Sequence, residues 1–267
     1  MNTTPSHPLA NKVAVVTGGT NGIGRAAAIL LAQRGAKVIV GDFDLPETPD
    51  PEFTTLGIET LPCDVRREAD LQRLIDHAAN KHSALHILVN SAGVGMVKQI
   101  DAVTEDDWNR CLDTNLKGIF FACKHAIRWM KKSHGGSIIN IASNAGILPR
   151  AHDPVYSISK GAVIALTKSL GLCHTIDKIR VNAICPGPVE RTKMIESDLQ
   201  QHPDPIAARQ GLINASPLVR AHGRMITPEE VAEAVYYFAS DASTMTTGTS
   251  LTIDGGKSLG VPPTPKN

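Results

Sequence analysis

Short apolar runs alternate with longer segments of helical periodicity along nearly the whole chain. The apolar runs are rich in β-branched residues and lie at 12–17, 37–42, 58–65, 86–93, 136–143, 179–187 and 249–256. Apolar strands that alternate with helices are typical of a parallel sheet that is covered by helices on both faces. No repeat or linker interrupts the pattern. We therefore predict an α/β fold in which residues 1–267 form a single domain.

Three stretches depart from this alternation. Residues 44–57 contain three prolines, which predicts irregular structure rather than a helix. Residues 188–226 are rich in proline and are expected to be a loop-like excursion after the sixth strand. Because ligands of open α/β sheets bind at the carboxyl ends of the strands, this segment is well placed to act as a lid. Residues 1–10 are expected to form a flexible arm.

Charge and cysteine content argue against several classes of function. The 267 residues carry 27 Lys and Arg against 26 Asp and Glu, without a basic block, so a nucleic-acid partner is not expected. Five cysteines without a Cys-x-x-Cys pair favour free thiols in a reducing compartment. The sequence shows neither a secretory signal nor an apolar run of membrane-spanning length. We expect a cytoplasmic protein without a membrane partner and, since no histidine motif for metal is present, without a metal.

The first strand enters a helix through a glycine-rich loop, TGGTNGIG at 17–24. Glycines permit close approach of the backbone to phosphate, and the helix start offers free amide groups. The second strand ends at Asp42, whose carboxylate can accept both ribose hydroxyls of adenosine and would repel a 2′-phosphate. A simpler alternative is that Asp42 only caps a turn. Together the features predict a dinucleotide site that takes NAD.

Tyr156 and Lys160 lie four residues apart at the start of a predicted helix. This spacing places both side chains on one helix face. Taken alone, the pair is more typical of a surface tyrosine beside a lysine with a partly buried stem. The rest of the sequence decides between the two interpretations.

The combination of motifs resembles the short-chain dehydrogenase/reductase family over about residues 10–260. The matching residues are TGGTNGIG (17–24), Asp64-Val65, Asn90-Ser91-Ala92-Gly93, Asn115, Ser143, Tyr156-x-x-x-Lys160 and Pro186-Gly187. The resemblance implies a doubly wound, seven-stranded Rossmann-type sheet and a nicotinamide cofactor. It also implies a homotetramer, which the wide apolar surfaces of two long predicted helices (about 104–132 and 154–173) favour as well.

The resemblance assigns roles to individual residues. The implied catalytic residues are Asn115, Ser143, Tyr156 and Lys160. The implied cofactor-binding residues are Gly18, Thr20, Asn21, Gly22, Ile23, Gly24, Asp42, Asp64, Val65, Asn90, Ala92, Gly93, Tyr156, Lys160, Pro186, Gly187, Val189 and Thr192.

Physical chemistry explains the choice of a tyrosine beside a lysine. A free phenol, with a pKa of about 10, is a poor base at neutral pH. A neighbouring ammonium, together with the positive nicotinamide ring, is expected to lower that pKa so that Tyr156 can take the proton of an alcohol. Ser143 would hydrogen-bond the substrate oxygen, and Lys160 would also hold the nicotinamide ribose. By resemblance, Asn115 would steady a water that relays the proton.

The sequence departs from the family pattern at two places. Asn90-Ser91-Ala92-Gly93 replaces the usual Asn-Asn-Ala-Gly, and PGPVERTKM (186–194) has one extra residue before Thr192. The second departure bears on whether Thr192 contacts the carboxamide of the cofactor.

We predict an NAD-dependent dehydrogenase of a secondary alcohol, reversible with its ketone. An NADPH-dependent 3-oxoacyl-thioester reductase shares the catalytic residues and stays open because Arg25 follows the glycine loop. A non-catalytic nucleotide sensor or scaffold is a further alternative. A serine hydrolase does not fit, since Ser143 lies in IASNAG rather than Gly-x-Ser-x-Gly. Met96, Leu148, His152 and residues 193–222 near the expected pocket favour a compact, largely apolar substrate.

Overall fold

Seven parallel strands form one sheet at the centre of the protein. The computed structural model describes residues 7–148 and 150–260. The strands are Val13–Thr17 (β1), Lys37–Asp42 (β2), Glu59–Pro62 (β3), Ile87–Asn90 (β4), Gly136–Ile141 (β5), Ile179–Pro186 (β6) and Ser250–Ile253 (β7). Their order is β3-β2-β1-β4-β5-β6-β7, with every neighbouring pair parallel. The predicted doubly wound, seven-stranded sheet is confirmed.

Helices cover both faces of this sheet. They are Gly22–Gln33 (α1), Pro51–Leu56 (α2), Glu68–His82 (α3), Glu105–Leu112 (α4), Gly118–Lys132 (α5), Pro154–Cys173 (α6), Lys193–Gln200 (α7), Pro205–Asn214 (α8), Pro217–His222 (α9) and Pro228–Ala239 (α10). Strand β1 shows how one strand serves both layers. Ala14 and Val16 pack into the core under α1 and α10, while Val13 and Val15 pack into the core under α3, α5 and α6. This alternation follows from the period of two along a strand.

The chain reverses its direction across the sheet between β1 and β4. Strands β1 to β3 extend one way from this point, and β4 to β7 extend the other way. The loops that follow β1 and β4 therefore leave the sheet in opposite directions. The crevice between them is the expected ligand position in an open α/β sheet.

The expectation that residues 44–57 hold no helix is wrong. Within this segment, Pro51 is the first residue of α2, where a missing amide hydrogen costs nothing. The carboxylate of Asp50 caps the helix by accepting the amides of Glu52 and Phe53. A proline here begins a helix rather than preventing one.

The same correction applies to the predicted lid. Residues 188–226 contain three helices, α7, α8 and α9, in place of the expected loop. Pro205 and Pro217 occupy the first turns of α8 and α9. The predicted lid, residues 188–226, is therefore mainly helical and includes α7 to α9.

Two further boundaries differ from expectation. Of the predicted arm at 1–10, residues 1–6 lie outside the described residues, whereas Leu9 is only 1% exposed and donates its amide to the carbonyl oxygen of Arg34. Residue 9 thus belongs to the core. The long helix expected after residue 104 is divided into α4 and α5 by a π-helical turn, Asp113–Lys117.

Within the part of the chain that the structure describes, no helix is both long and apolar enough to span a membrane.

Candidate active site

A cleft of about 780 Å³ lies at the carboxyl ends of the central strands. Most of the residues singled out in the sequence line it, namely Gly18, Thr20, Asn21, Gly22, Ile23, Asp42, Asp64, Val65, Ala92, Gly93, Ser143, Tyr156, Lys160, Pro186, Gly187, Val189 and Thr192. Gly24, Asn90 and Asn115 are not among its lining residues.

The glycine loop is packed so tightly that a side chain does not fit at two of its glycines, Gly18 and Gly24. Gly18 has φ +65°, and a Cβ there would lie 2.6 Å from the Cα of Ala92. A Cβ on Gly24 would lie 2.1 Å from the carbonyl oxygen of Gly18. Gly24 therefore acts behind the cleft, because it lets α1 approach the loop.

The start of α1 offers amide groups to the cleft. Its N-cap residue, Asn21, makes no side-chain cap, and the first turn holds no acidic residue. The Asn21 side-chain oxygen instead accepts the amide of Lys193 at 2.9 Å, which ties the loop to the lid. By contrast, α10 begins with a capping box from Thr227 and Glu230. Uncapped amides at a helix start that lines a cleft suit a negatively charged diphosphate.

The carboxylate of Asp42 is fixed at the end of β2. Its Oδ2 accepts both the amide of Thr20, at 3.0 Å, and the hydroxyl of Thr20, at 2.7 Å. Asp42 thus holds the turn of the glycine loop and also lines the cleft, and its predicted contact with a ribose stays a prediction.

The cations near this end of the cleft are already paired with carboxylates. Arg25 does not line the cleft, and it contacts Asp50 at 2.7 Å and Glu52 at 3.0 Å. Arg66 lines the cleft and makes two hydrogen bonds to Asp64, at 2.8 and 2.7 Å. These bonds from Arg66 hold the pKa of the Asp64 carboxyl below its usual value.

Tyr156 and Lys160 are buried on the first turns of α6, on the face that lines the cleft. Burial raises the pKa of the Tyr156 phenol to about 12, against a hydrogen bond from Ser143 that lowers it. Lys160 Nζ lies 5.7 Å from the centre of the Tyr156 ring and donates to the carbonyl oxygen of Ile141 at 2.9 Å. Burial lowers the pKa of Lys160 to about 8. Burial thus dominates the pKa of the phenol among the protein's own groups. The lowering expected from Lys160 together with the nicotinamide ring stays a prediction.

Asn115 lies behind the wall of the cleft, in the π-helical turn between α4 and α5. Its Oδ1 accepts the amide of Val94 at 2.9 Å, and its Nδ2 donates to the Val94 carbonyl oxygen at 3.0 Å and to Ser159 at 3.1 Å. The side chain thus joins the loop after β4 to α6. Asn115 is a positioning residue in this arrangement, and its predicted contact with a water stays a prediction.

Asn90 and Thr192 also make mainly internal contacts. Asn90 Nδ2 donates to Asn140 Oδ1 at 2.8 Å, across β4 and β5. The Thr192 hydroxyl caps α7 by accepting the amide of Ile195, and it donates to the carbonyl oxygen of Val189 at 3.0 Å. Thr192 lines the cleft, but its hydroxyl is engaged within the lid.

The sequence analysis missed a group of charged residues at the substrate end of the cleft. Arg150, Asp153 and Asp198 line the cleft beside Tyr156 and Ser143. An adjoining cavity of about 270 Å³ is lined by Arg150, Asp153 and Lys257, together with Leu148 and His152. The position of Asp153, three residues before Tyr156 on the same helix start, is a sequence signal that could have located it. Apolar side chains such as Met96, Met194 and Leu199 line the same cleft, and the compact, largely apolar substrate expected from the sequence stays a prediction.

Comparison with known proteins agrees with the fold. A family profile described as enoyl-(acyl carrier protein) reductase matches residues 18–258. The chain is 35% identical over 257 residues to cis-4-hydroxycyclohexanecarboxylate dehydrogenase of Sinomonas cyclohexanicum, a match that covers 92% of this chain and 96% of that protein. It is 33% identical over 252 residues to 3-oxoacyl-(acyl-carrier-protein) reductase of Thermotoga maritima, with 93% and 98% covered.

A solved structure shows the same architecture. Aldohexose dehydrogenase from Thermoplasma acidophilum, in ligand-free form, matches with a TM-score of 0.87 and 32% sequence identity, covering 98% of this chain and 99% of that chain. The chain therefore belongs to the short-chain dehydrogenase/reductase family and is a nicotinamide-dependent alcohol or ketone oxidoreductase.

Proposed function

We propose that the protein oxidises a secondary alcohol to its ketone, reversibly, with NAD as the hydride acceptor. The observation that carries this proposal is that one cleft brings Ser143, Tyr156 and Lys160 together with the glycine loop and Asp42. The family match supports the alcohol chemistry. The choice of NAD over NADP rests on the charges at the end of β2.

The chain's residues fit the parts of NAD. The uncapped amides of Gly22 and Ile23 suit the diphosphate, and the fixed carboxylate of Asp42 suits the ribose hydroxyls of adenosine. Asp64 and Val65 would flank the adenine, while Pro186, Gly187 and Val189 would flank the nicotinamide, as the family pattern implies. Bound NAD would supply the hydride acceptor and a positive charge.

Proton transfer belongs to Tyr156. In alcohol oxidation its Oη accepts the hydroxyl proton of the substrate, which requires the phenolate. In ketone reduction the neutral phenol donates that proton to the carbonyl oxygen. Because burial raises the phenol pKa to about 12, the protein's own groups favour the donor form. Ser143 hydrogen-bonds the substrate oxygen, and Lys160 is held beside Tyr156 by the Ile141 carbonyl oxygen.

Paired cations support NAD rather than NADP. Arg25, the residue that kept the NADPH-dependent alternative open, is held by Asp50 and Glu52. Arg66 is held by Asp64. A 2′-phosphate at Asp42 would thus meet a carboxylate without a free cation from either arginine.

The alternative of a 3-oxoacyl-thioester reductase is favoured by one observation, the match to the Thermotoga maritima protein. Both candidates share the catalytic residues, so cofactor and substrate separate them. Initial rates with NAD and a panel of cyclic, aliphatic and aromatic secondary alcohols test the main proposal. NADPH with an acetoacetyl thioester tests the alternative. Turnover of the thioester together with inertness of every alcohol would replace our proposal by the second.

We also propose a cytoplasmic homotetramer. Apolar side chains on the outer faces of three helices remain exposed in the single chain, including Trp108 on α4, Phe120 on α5 and Ile158 on α6. Packing against further copies would bury them. All five cysteines are free, which suits a reducing compartment. Light scattering at micromolar concentration tests the assembly, and a monomer would contradict it.

A further inference from the structure

We propose that the substrate is a polyhydroxylated alcohol, and that Asp153 and Arg150 bind a second hydroxyl group beside the one that reacts. The proposal deepens the function above and rests on it, because it names the substrate class of the same cleft. The evidence is the arrangement of charged groups at the substrate end.

Asp153 is a buried carboxylate with an unused oxygen. It is 2% exposed and lines both the cleft and the adjoining cavity. Although Asp153 is the N-cap residue of α6, its side chain makes no capping hydrogen bond. Its Oδ2 lies 3.0 Å from Arg150 Nε, while its Oδ1 makes no close hydrogen bond with the described residues. The Ser157 hydroxyl, on the next turn of α6, acts on this carboxylate, but its oxygen is also buried without a close hydrogen bond. A buried acceptor without a partner is costly, so Oδ1 calls for a donor from the ligand.

Arg150 offers donors next to this acceptor. Its side chain is 43% exposed and contacts Asp153 through Nε. Its two terminal nitrogens donate no hydrogen bond to any residue in the described part of the chain, and the residue lines both the cleft and the cavity. Asp153 therefore orients Arg150 and leaves its terminal nitrogens available. A free acceptor and free donors lie side by side, three residues from Tyr156.

The charges of this region favour a neutral ligand group. Arg150 and Lys257 bring two cations, and Asp153 and Asp198 bring two carboxylates. A substrate carboxylate or phosphate would meet these two acidic side chains as well as the two cations, so the balanced charges give an anion no net attraction. A hydroxyl group donates one hydrogen bond and accepts others, so it can satisfy Asp153 Oδ1 and an Arg150 nitrogen together.

A set of matched cyclohexanols tests the proposal on the full-length enzyme with NAD. Cyclohexanol has the reacting hydroxyl only, the vicinal cyclohexanediols add a second one, and the diol monomethyl ether keeps an acceptor but loses the donor. A hydroxycyclohexanecarboxylate tests for an anion site. A hydrogen bond to a charged group corresponds to about a 10- to 100-fold preference, so kcat/KM should favour one of the diols over cyclohexanol and over the ether by that factor.

The isosteric variant Asp153→Asn tests whether the Asp153 carboxylate causes the preference for the diol. We expect this variant to reduce the ratio of kcat/KM for the diol to kcat/KM for cyclohexanol to within a few fold of one. The Asp153 charge also acts on the Tyr156 phenol, but that effect applies to both substrates and cancels in the ratio. Asp177→Asn is the matched control, because Asp177 is paired with His174 and Lys131 just before β6, at the amino-terminal end of the strand and away from the cleft at the carboxyl ends. It should leave the ratio unchanged.

Failure of this inference differs from failure of the proposed function. The inference is wrong if cyclohexanol is oxidised as efficiently as the diols, if the hydroxycyclohexanecarboxylate is the preferred substrate, or if Asp153→Asn keeps the wild-type ratio. In each of these cases the proposed dehydrogenase function still holds. If no alcohol is oxidised, calorimetric binding of the diols to the enzyme–NAD complex decides separately. Binding that is lost in Asp153→Asn would support the hydroxyl site alone, and absence of binding would overturn both.

Discussion

The two ends of the cleft are lined by different kinds of chemical group. At the end proposed for the cofactor, the groups that line the cleft are mainly the backbone of the glycine loop and of α1, with the carboxylate of Asp42, which Thr20 fixes in place, and that of Asp64, which Arg66 holds. At the substrate end, they are charged side chains that come from the segment before α6, from the lid and from the segment after β7. The first end is built mainly from β1, the glycine loop and α1, with Asp42 added from the end of β2. The second is assembled from parts that are far apart in the sequence.

This difference bears on how each end tolerates change. Backbone amides keep their positions as long as the loop keeps its conformation, so the cofactor end depends on packing and on glycine. The substrate end depends on the identity of a few side chains, which can change without disturbing the sheet. One fold can therefore keep its cofactor and vary its substrate. Four substitutions, ordered by expected effect, separate the two ends.

The largest effect is expected at the reacting group, which should leave the cofactor end intact. Tyr156→Phe removes the phenolic oxygen that transfers the proton, and general acid–base groups contribute about 10²–10⁴-fold to the rate. We expect kcat to fall by that factor while NAD affinity changes little. Initial rates and calorimetric NAD binding measure the two quantities. A variant that keeps more than about a tenth of the wild-type rate would show that Tyr156 is not the acid–base group.

The next effect concerns the carboxylate at the end of β2. A like-charge pair about 4 Å apart costs on the order of 4 kcal/mol at an effective dielectric constant near 20. Allowing for screening and rearrangement, we expect NAD to be preferred by about 2–4 kcal/mol, or roughly 30- to 1,000-fold in kcat/KM. Asp42→Ser should remove most of this preference, mainly by improving NADP.

A neighbouring carboxylate provides the control for Asp42. Asp44 is 74% exposed and paired with Lys193, and it does not line the cleft. Asp44→Ser removes the same charge nearby and should change the cofactor ratio much less. Equal use of both cofactors by the wild type, or equal effects of the two substitutions, would refute the placement of Asp42 against the ribose.

The sequence could predict the cofactor end because its information is local. The glycine loop, Asp42 at a strand end and the four-residue spacing of Tyr156 and Lys160 each follow from adjacent residues. The role of Asn115 could not be read in the same way, since its contacts to Val94 and Ser159 need the π-helical turn. Spacing alone also missed that burial, rather than Lys160, dominates the pKa of the phenol.

The substrate end was harder to predict because the signals there were tertiary or ambiguous. The sequence analysis did not single out Asp153, and only the structure shows its carboxylate beside Arg150. Prolines in the lid suggested a loop, although Pro205 and Pro217 stand where a helix accepts them. Neither the direction of a cap side chain nor the choice between loop and helix start is fixed by residue type.

Glycine substitutions compare the two ends directly. At Gly18, a Cβ would lie 2.6 Å from the Cα of Ala92, and φ is +65°. Strain of this kind costs about 1–3 kcal/mol, so Gly18→Ala should lower the free energy of unfolding by that amount and weaken NAD binding. Urea unfolding and calorimetry give both values. Gly57 has φ +67°, and a Cβ there would meet no atom within 4 Å, so Gly57→Ala carries the backbone strain without the clash. Equal losses in the two variants would mean that packing against Ala92 is unimportant.

The smallest effect is expected at a glycine in the lid. Gly211 lies inside α8 and lines the cleft, and a Cβ there would meet nothing within 4 Å. Alanine is a better helix former than glycine by about 0.5–1 kcal/mol. Gly211→Ala should therefore stabilise α8, the reverse of the change at Gly18. If the lid opens separately from the sheet, the gain appears as amide exchange slowed about two- to fivefold in α8, with little change in global unfolding. Slower exchange across the sheet as well would mean that the lid and the sheet unfold together, and that the two ends of the cleft are not mechanically separate.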